Sequence, residues 1–299
     1  HVLRRRQRQM CIRDRYNSVS IIGPGLLGAS IAMSVHEKKL AKEIHLWARN
    51  EEKRASCLKN HWCDYVHESL ENAVKDSDFI VLCTPVDSII PILKTIAPYL
   101  TPGTLVTDVG SVKESICFQA KTIPNNNHFH FIGSHPMAGS EKSGMEYASA
   151  KLLKQATCII TPTEHTEPLA LEKVTQFWSA LEMHPVHMAP ESHDSLIAKI
   201  SHLPHIVASI LAASISDIPD AQFQYAGGGL KDTTRVAGGS PKLWQTILSQ
   251  NSDQILKSID QFEKTLETLK NSLASQDLNS LHKILNEGQL VRKTIEKFK

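Results

Sequence analysis

The sequence predicts an α/β protein, in which a domain built on a parallel sheet is followed by an all-α domain. Three observations support this prediction. Short apolar runs alternate with helical stretches over the first half of the chain, and a glycine-rich turn follows the first of these runs. After about residue 190 the strand patterns stop and helical periodicity replaces them. We therefore expect a leader over residues 1–16, a sheet domain over 17–187 and a helical domain over 188–299.

The apolar runs define the strands of the first domain. A helix over 29–36 follows the first of them, and prolines and a Pro-Gly pair end several of the others. The run at 79–83 is almost continuously apolar, which is typical of a strand buried on both faces. The predicted strands are 19–22, 44–48, 79–83, 105–109, 131–132 and 158–160.

The second half contains two helical patterns. Residues 196–212 are apolar nearly all round, which predicts a buried helix, and Pro204 is expected to kink it or to lie in its first turn. A second pattern repeats with spacings of 4, 3, 4, 3 and 4, which predicts a seam that packs against another helix of this chain or of a second subunit. The residues of this seam are Ile255, Ile259, Phe262, Leu266, Leu269 and Leu273.

Length and charge exclude several classes of protein. A chain of 299 residues favours about two domains. The net charge is +2, but residues 1–15 contribute +5 and leave −3 for the rest, so we expect no nucleic-acid partner. We assign the arginine-rich leader no function and expect it to be non-native or disordered. No apolar run reaches the roughly 18 residues that span a membrane.

Cysteine and histidine patterns favour a reduced, metal-free protein. The six cysteines form no CxxC pair, which suits buried thiols in the cytoplasm. His128 with His130, and His202 with His205, are pairs that no further ligand completes, so we expect no metal site.

The glycine-rich turn predicts a dinucleotide site. Gly23, Gly25 and Gly28 form a GxGxxG motif between a strand and a helix, the context in which this motif binds a pyrophosphate. The alternative is a purely structural turn. The full set of candidate cofactor contacts is Gly23, Gly25, Leu26, Leu27, Gly28, Arg49, Thr84 and Pro85.

The end of the second strand indicates which cofactor is bound. An NAD enzyme usually carries a carboxylate there for the ribose 2′-hydroxyl, whereas this chain has Ala48 and Arg49. Arg49 is suited to a 2′-phosphate, so we favour NADP over NAD. The alternative is that Arg49 is a solvated surface charge.

The order of six motifs resembles the prephenate/arogenate dehydrogenase family over residues 17–299. The motifs are GxGxxG, DVGSVK at 108–113, GSHPMAGSEKSG at 133–144, ESHD at 191–194, SHLPH at 201–205 and GGGLKDTTR at 227–235. The resemblance implies a Rossmann domain and a helical domain that forms a homodimer. It also implies oxidative decarboxylation of prephenate or arogenate with hydride transfer to NAD(P)+, in tyrosine biosynthesis.

The resemblance also assigns roles to individual residues. His135 would accept a hydrogen bond from the substrate hydroxyl, which suits a side chain with a pKa near neutral. Ser111 would orient the same hydroxyl or His135. The substrate-binding candidates are Arg235, His205, Glu141, Asp232 and Lys231.

Each role has a structural alternative. His135 could cap a loop, Ser111 could cap a helix starting near Val112, and Arg235 could pair with Asp232. His202 and His205 could be satisfied core histidines.

Two other functions remain open at this point. A related Rossmann dehydrogenase of the β-hydroxyacid or 6-phosphogluconate type would use a lysine on the helical domain rather than His135. A non-catalytic dinucleotide sensor would keep its cofactor pocket while its substrate residues drifted, so the presence of Ser111, His135 and Arg235 together disfavours it. The sequence shows no stretch for a chorismate mutase or regulatory domain, so we expect a monofunctional enzyme, with a slight preference for prephenate.

Overall fold

The structure is a computed structural model that describes residues 16–124, 128–139 and 144–298. The predicted leader, residues 1–15, lies outside the described residues. Tyr16, which the sequence grouped with the leader, is instead the first residue of the sheet and pairs with Ala41.

Eight strands form one sheet in the order β3-β2-β1-β4-β5-β6-β7-β8. All neighbouring strands are parallel except β6 and β7, which are antiparallel. The sheet confirms the predicted Rossmann class, although β3 and β8 have no counterpart among the predicted strands. The strands are β1 Tyr16–Ile22, β2 Ala41–Trp47, β3 Tyr65–His67, β4 Phe79–Leu82, β5 Thr104–Asp108, β6 Phe129–Pro136, β7 Thr157–Thr161 and β8 His184–His187.

Six α-helices precede the end of the sheet and six follow it in the described residues. The first six are α1 Leu26–Lys38, α2 Glu51–Cys57, α3 Leu70–Val74, α4 Val86–Ile96, α5 Glu114–Lys121 and α6 Pro168–Ala180. The later ones are α7 Pro190–Ile197, α8 Leu203–Ala213, α9 Gly228–Thr234, α10 Pro241–Gln250, α11 Ser252–Ala274 and α12 Leu278–Ile295.

The sheet is buried on both faces, which explains its continuous apolar strands. Phe79 and Val81 of β4 pack into one core, whereas Ile80 and Leu82 pack into the core on the opposite face. Alternate residues of a strand point to opposite faces, so a strand with two covered faces needs apolar residues at every position.

The strand order reverses between β1 and β4, and this reversal locates the ligand crevice. In open parallel sheets, ligands bind beyond the carboxyl ends of the strands at such a switch point. The segments that leave β1, β4 and β5 at this edge contain the glycine turn, Thr84 and Ser111, and His135 lies near the carboxyl end of β6. The fold therefore gathers residues that are far apart in the sequence.

Helices α7 and α8 form one continuous helix from Pro190 to Ala213, joined by a π-helical turn at Ala198–His202. Pro204 lies in the first turn of α8, directly after the π turn. Such a turn absorbs the hydrogen bond that a proline inside a helix cannot make.

The prediction that this helix is buried is wrong for the single chain. Leu196, Ile200 and Ile210 are exposed, and only 28% of its most apolar window is covered. By length and composition alone the helix could cross a membrane, with a mean hydropathy of 1.5 over that window. Asp194 and Lys199 interrupt the apolar residues of this helix, so it contains no long unbroken apolar run. Its exposed face needs a second apolar surface to cover it.

The predicted seam lies on α11 and is only partly covered. Ile255 is buried within the chain, whereas Phe262, Leu266 and Leu273 are 39%, 50% and 59% exposed. The part of the seam beyond the first turns is therefore exposed or only half-buried in the described part of the single chain.

Candidate active site

The glycine turn has the conformation and space that a pyrophosphate requires. Gly23 has φ +100, and a Cβ there would lie 2.9 Å from the carbonyl oxygen of Cys83. A Cβ on Gly28 would lie 2.3 Å from the carbonyl oxygen of Gly23, whereas a Cβ on Gly25 would meet nothing within 4 Å. Gly23 and Gly28 therefore serve the fold, and Gly25 leaves open space toward the crevice.

The start of α1 and the end of β4 complete a cradle for a dinucleotide. Gly25 is the N-cap of α1, no side chain caps the helix, and its first turn contains no acidic residue. Free backbone N–H groups and the positive end of the helix dipole favour an anion at such a position. Thr84 contributes a buried hydroxyl that has no hydrogen-bond partner in the described structure. Leu26 and Leu27 form the first turn of α1, and Pro85 is the N-cap of α4.

The end of β2 contacts the glycine turn and carries basic side chains. The backbone N–H of Gly23 donates to the carbonyl of Trp47 at 2.9 Å. Ala48 is buried and Arg49 is exposed, while Arg54 donates to the carbonyls of both at 2.9 and 3.0 Å. Two guanidinium groups therefore occupy the position where many NAD enzymes have a carboxylate.

The central feature of the site is a hydrogen-bonded chain of two histidines and an aspartate. His135 lies near the end of β6, and its Nδ1 is 2.9 Å from Nε2 of His193. Nδ1 of His193 is 2.7 Å from Oδ1 of Asp194. Both His193 and Asp194 are buried residues of α7, whereas His135 is only partly exposed.

Asp194 also holds the start of α5. Its Oδ1 accepts from the backbone N–H of Lys113 at 2.8 Å, and its Oδ2 accepts from that of Glu114 at 3.0 Å. The suggested role of Ser111 as the cap of this helix is therefore wrong, because α5 begins at Glu114 and Asp194 accepts from its first amides. Ser111 lies half-buried in the loop between β5 and α5, at the same sheet edge as His135.

A buried ion pair lies beneath this loop. Nζ of Lys113 donates to Oδ2 of Asp108, and both side chains are completely buried. Asp108 also accepts from the backbone N–H groups of Gly110 at 2.8 Å and Ser134 at 3.1 Å. These bonds tie the loop that carries Ser111 to the strand that carries His135.

Two further histidines, His202 in the π-helical turn and His205 on α8, lie close to these hydrogen-bonded residues. His205 stacks on Trp244 with ring centroids 3.5 Å apart, and Nδ1 of His202 is 3.2 Å from Nδ2 of Asn251. His202 Nε2 and His205 Nδ1 are buried atoms without a hydrogen-bond partner in the described structure. Such unpartnered polar atoms are able to form hydrogen bonds with a polar ligand.

The four histidines are held neutral by their surroundings. Burial, together with the neighbouring His193, Lys113 and His202, holds the pKa of His135 well below its usual value. Burial likewise lowers the pKa of His193, although Asp194 opposes this effect. Burial lowers the pKa of His202 to about 4 and also lowers that of His205. A neutral His135 is able to accept a hydrogen bond at neutral pH.

The remaining predicted contacts lie on and after α9. Lys231 and Asp232 are exposed on α9, and Arg235 is exposed in the short 3₁₀ turn that follows. That turn reaches His205, which hydrogen-bonds the backbone of Val236. Glu141 lies outside the described residues.

Sequence reasoning missed several members of the site. His193 and Asp194 lie in the ESHD motif, but no spacing rule connects residue 193 with residue 135. Asn251 and Trp244 belong to none of the six motifs, and no sequence pattern marks them as members of the site. No group of three or more side chains among the described residues is arranged to hold a metal ion.

The comparisons with known proteins agree with this architecture. Residues 31–186 match the nucleotide-binding domain of prephenate dehydrogenases, and residues 189–287 match their dimerization domain. A cyclohexadienyl dehydrogenase of Zymomonas mobilis is 32% identical over 282 residues, which cover 93% of this chain and 95% of that protein.

Two crystal structures are similar over nearly their whole length. One is the prephenate dehydrogenase of Aquifex aeolicus in complex with hydroxyphenyl propionate and NAD+. It has a TM-score of 0.86 and 32% identity, covering 93% of this chain and 98% of that one. The other is the arogenate dehydrogenase of Synechocystis, with a TM-score of 0.79 and 29% identity, covering 93% and 99%.

The glycine turn at the switch point of a parallel sheet, with a helical region closing over the same edge, defines a two-part Rossmann dehydrogenase. Within that class, the chain belongs to the prephenate dehydrogenase family.

Proposed function

We propose that the chain oxidatively decarboxylates a cyclohexadienyl acid, prephenate or arogenate, on the route to tyrosine. The observation that carries this proposal is the neutral His135 at the sheet edge that also carries the dinucleotide cradle. Membership of the family supports the reaction class. A β-hydroxyacid type of dehydrogenase is not favoured, because both halves of the chain match models of prephenate dehydrogenase domains.

His135 handles the substrate hydroxyl in the proposed mechanism. A nicotinamide held in the cradle would supply the hydride acceptor for the ring carbon that bears the hydroxyl. Positive charge then develops on that carbon, and His135 stabilises it by accepting a hydrogen bond from the hydroxyl. The electrons of the bond to the ring carboxylate move into the ring, carbon dioxide leaves, and the ring becomes aromatic. The hydroxyl keeps its proton in the product, so no net proton is released.

The other site residues bind and orient. Arg235 pairs with a substrate carboxylate, for which a guanidinium offers two parallel donors. His205 supplies a hydrogen bond through its unpartnered Nδ1, and Ser111 orients the hydroxyl or His135. Glu141, Asp232 and Lys231 complete the polar surroundings of the substrate. The slight preference for prephenate over arogenate stays a prediction.

NADP is the proposed cofactor, with NAD as the alternative. The exposed Arg49 would pair with the 2′-phosphate, and Arg54 would hold the turn through two carbonyls. The residues Gly23 to Gly28, Thr84 and Pro85 would bind the pyrophosphate and its neighbouring groups. A relative solved with NAD+ shows that this family also contains NAD users.

The proposed assembly is a cytoplasmic homodimer formed through the helical region. Residues 189–287 match a dimerization domain, and the exposed apolar residues of α8, α11 and α12 need a cover. The five described cysteines are free, which suits a reducing compartment.

An assay of the four substrate and cofactor combinations tests the proposal. Protein lacking residues 1–15 is mixed with prephenate or arogenate and with NAD or NADP, and reduced-cofactor absorbance is followed. Turnover in any combination supports the reaction class, and NADP is expected to give the higher kcat/KM. Folded, cofactor-bound protein that turns over neither acid would refute the proposed reaction.

A further inference from the structure

We propose that His193 is a positioning residue that fixes which nitrogen of His135 carries the proton, and that Asp194 makes this arrangement depend on docking of the helical region. The proposal rests on the proposed function, because it concerns the hydrogen bond that His135 accepts from the substrate.

The first step is the state of Asp194. Its two carboxylate oxygens accept from the backbone N–H groups of Lys113 and Glu114 at 2.8 and 3.0 Å. Backbone donors of this kind favour the ionised carboxylate and fix its orientation. An ionised carboxylate only accepts hydrogen bonds, so the Nδ1 of His193, 2.7 Å from Oδ1, is the donor.

The second step derives the tautomer of His135 from the donor and acceptor nitrogens of His193. A neutral imidazole has one donor and one acceptor nitrogen. Because Nδ1 of His193 donates, its Nε2 is the acceptor, and Nδ1 of His135 at 2.9 Å is the donor toward it. The lone pair of His135 is therefore on Nε2.

The third step concerns catalysis. A substrate hydroxyl can donate to Nε2 only if that nitrogen carries no proton. In the opposite tautomer an N–H would meet the hydroxyl, and the group that stabilises the developing charge would be lost. His193 touches neither the hydroxyl nor the hydride in this scheme, so it acts through His135.

The fourth step is the link to docking. Asp194 belongs to α7, whereas Lys113 and Glu114 belong to the loop and helix that follow β5. Nδ2 of Asn251, at the start of α11, donates to the backbone carbonyl of Asp194 at 3.0 Å. Asp194 therefore sets the tautomer of His135 through His193. Asp194 reaches this position only when α7 and α11 pack against the loop that follows β5.

The test compares two substitutions of the same buried residue. His193→Gln places a carbonyl oxygen near the former Nε2, so it can still accept from His135. His193→Asn is too short to do so, because its amide reaches only the former Nδ1. The exposed His184 of β8, replaced in His184→Asn, is the matched control.

Three measurements are made on the full chain. The ¹⁵N resonances of labelled histidine, assigned for His135 with His135→Gln, report which ring nitrogen is protonated in the absence of substrate. Steady-state kinetics report kcat and KM, and cofactor titration reports that the fold and cradle are intact.

We expect the unsubstituted protein to carry the His135 proton on Nδ1. His193→Asn is expected to lose this preference and to lower kcat by about 100-fold, the lower range of what a positioned base contributes, with KM and cofactor affinity nearly unchanged. His193→Gln is expected to restore most of kcat, and His184→Asn to match the unsubstituted protein.

A proton on Nε2 of His135 in the unsubstituted protein would overturn the proposal, even if His193→Asn failed to fold. Equal losses in His193→Asn and His193→Gln, with weakened cofactor binding, would also overturn it, since they indicate a purely structural role. Failure of the proposed reaction would instead leave the resonances as expected while no cyclohexadienyl acid is turned over.

Discussion

At the scale of single residues, the low pKa of His135 determines how activity depends on pH. The neutral form is the active one, and a lowered pKa moves the loss of activity to more acidic pH. We expect kcat/KM to stay level from pH 8 to below 6.5, the ordinary histidine value, and to fall only further into acid. A pH profile of kcat/KM checks this, and an acid limb centred at 6.5 or above would contradict it.

Removing the imidazole itself gives a second prediction. His135→Gln is expected to lower kcat by about 100-fold or more, because the amide is a much weaker proton acceptor than imidazole. Cofactor affinity should not change, since His135 lies outside the glycine cradle. Steady-state kinetics beside cofactor titration measure both effects. Full activity in this variant, on every acid tried, would show that the assigned role of His135 is wrong.

Arg49 carries the prediction on cofactor choice. Arg49→Asp is expected to lower kcat/KM with NADP by roughly 10-fold or more, since a hydrogen bond between charged groups is lost and repulsion replaces it. Activity with NAD should be unchanged or higher. Lys94→Asp on the exposed side of α4 is the control for charge reversal. Equal effects on both cofactors would reduce Arg49 to a surface charge.

The site was only partly predictable at this scale, for a physical reason. Gly23 and Gly28 follow from sequence, because a strand, a turn and a helix are adjacent in the chain. The role of His193 could not be predicted, because its contact with His135 spans 58 residues along the chain. That contact depends on how helix α7 packs against the end of strand β6. The roles given to Arg235, Lys231, Asp232 and Glu141 stay predictions.

At the scale of elements, the glycine turn contains one glycine that the fold requires and another that cofactor binding requires. Gly28→Ala is expected to lower the free energy of unfolding by about 1–3 kcal/mol, because its Cβ would lie 2.3 Å from a backbone oxygen. Gly25→Ala should fold normally, because its Cβ meets nothing within 4 Å, but it should weaken cofactor binding.

Urea unfolding and cofactor titration of the two variants give the comparison. Weaker cofactor binding without destabilisation is the expected signature of Gly25→Ala. Should Gly25→Ala bind the cofactor as tightly as the unsubstituted protein, the cradle would not lie where we place it.

The sequence located long buried elements better than short exposed ones. The strand predicted over 79–83 is β4, since an uninterrupted apolar run in a sheet covered on both faces has few alternatives. The sequence did not predict the strands Tyr65–His67 and His184–His187. Three or four half-exposed residues are too few to show the alternation of apolar and polar residues that marks a strand. The helix around Pro204 was correctly placed but wrongly expected to be buried, because apolar composition does not say which chain covers it.

At the scale of the whole molecule, the buried histidines predict acid sensitivity. Burial lowers the folded-state pKa of His202 from 6.5 to about 4, so below 6.5 the unfolded chain takes up a proton that the folded chain does not. Stability is complete above 6.5 and is lost as pH falls toward 4, by about 3 kcal/mol from His202 alone. The lowered pKa values of His135, His193 and His205 act in the same direction.

Urea unfolding at pH 7.5 and pH 5 measures this loss. His202→Gln is expected to lose less stability between these two pH values than the unsubstituted protein, whatever its stability at pH 7.5. An unchanged difference would assign the acid sensitivity to other groups.

The exposed apolar surface of the helical region gives the last prediction, on assembly. Leu266 and Leu273 of α11 are half or more exposed, and burying such side chains contributes about 1.5–3 kcal/mol each. Light scattering after size exclusion should give about twice the chain mass of 33.2 kDa for the unsubstituted protein. Leu266→Glu places a charge in the seam and should shift the mass toward one chain, because a buried unpaired charge is costly.

Leu58→Glu, at an even more exposed leucine of the sheet region, should leave the mass of a dimer intact. If the monomeric Leu266→Glu protein also loses activity, the helical surfaces that carry His205 and Arg235 depend on the partner for their placement. A fully active monomer would mean that one chain builds the whole site and that the seam serves stability alone.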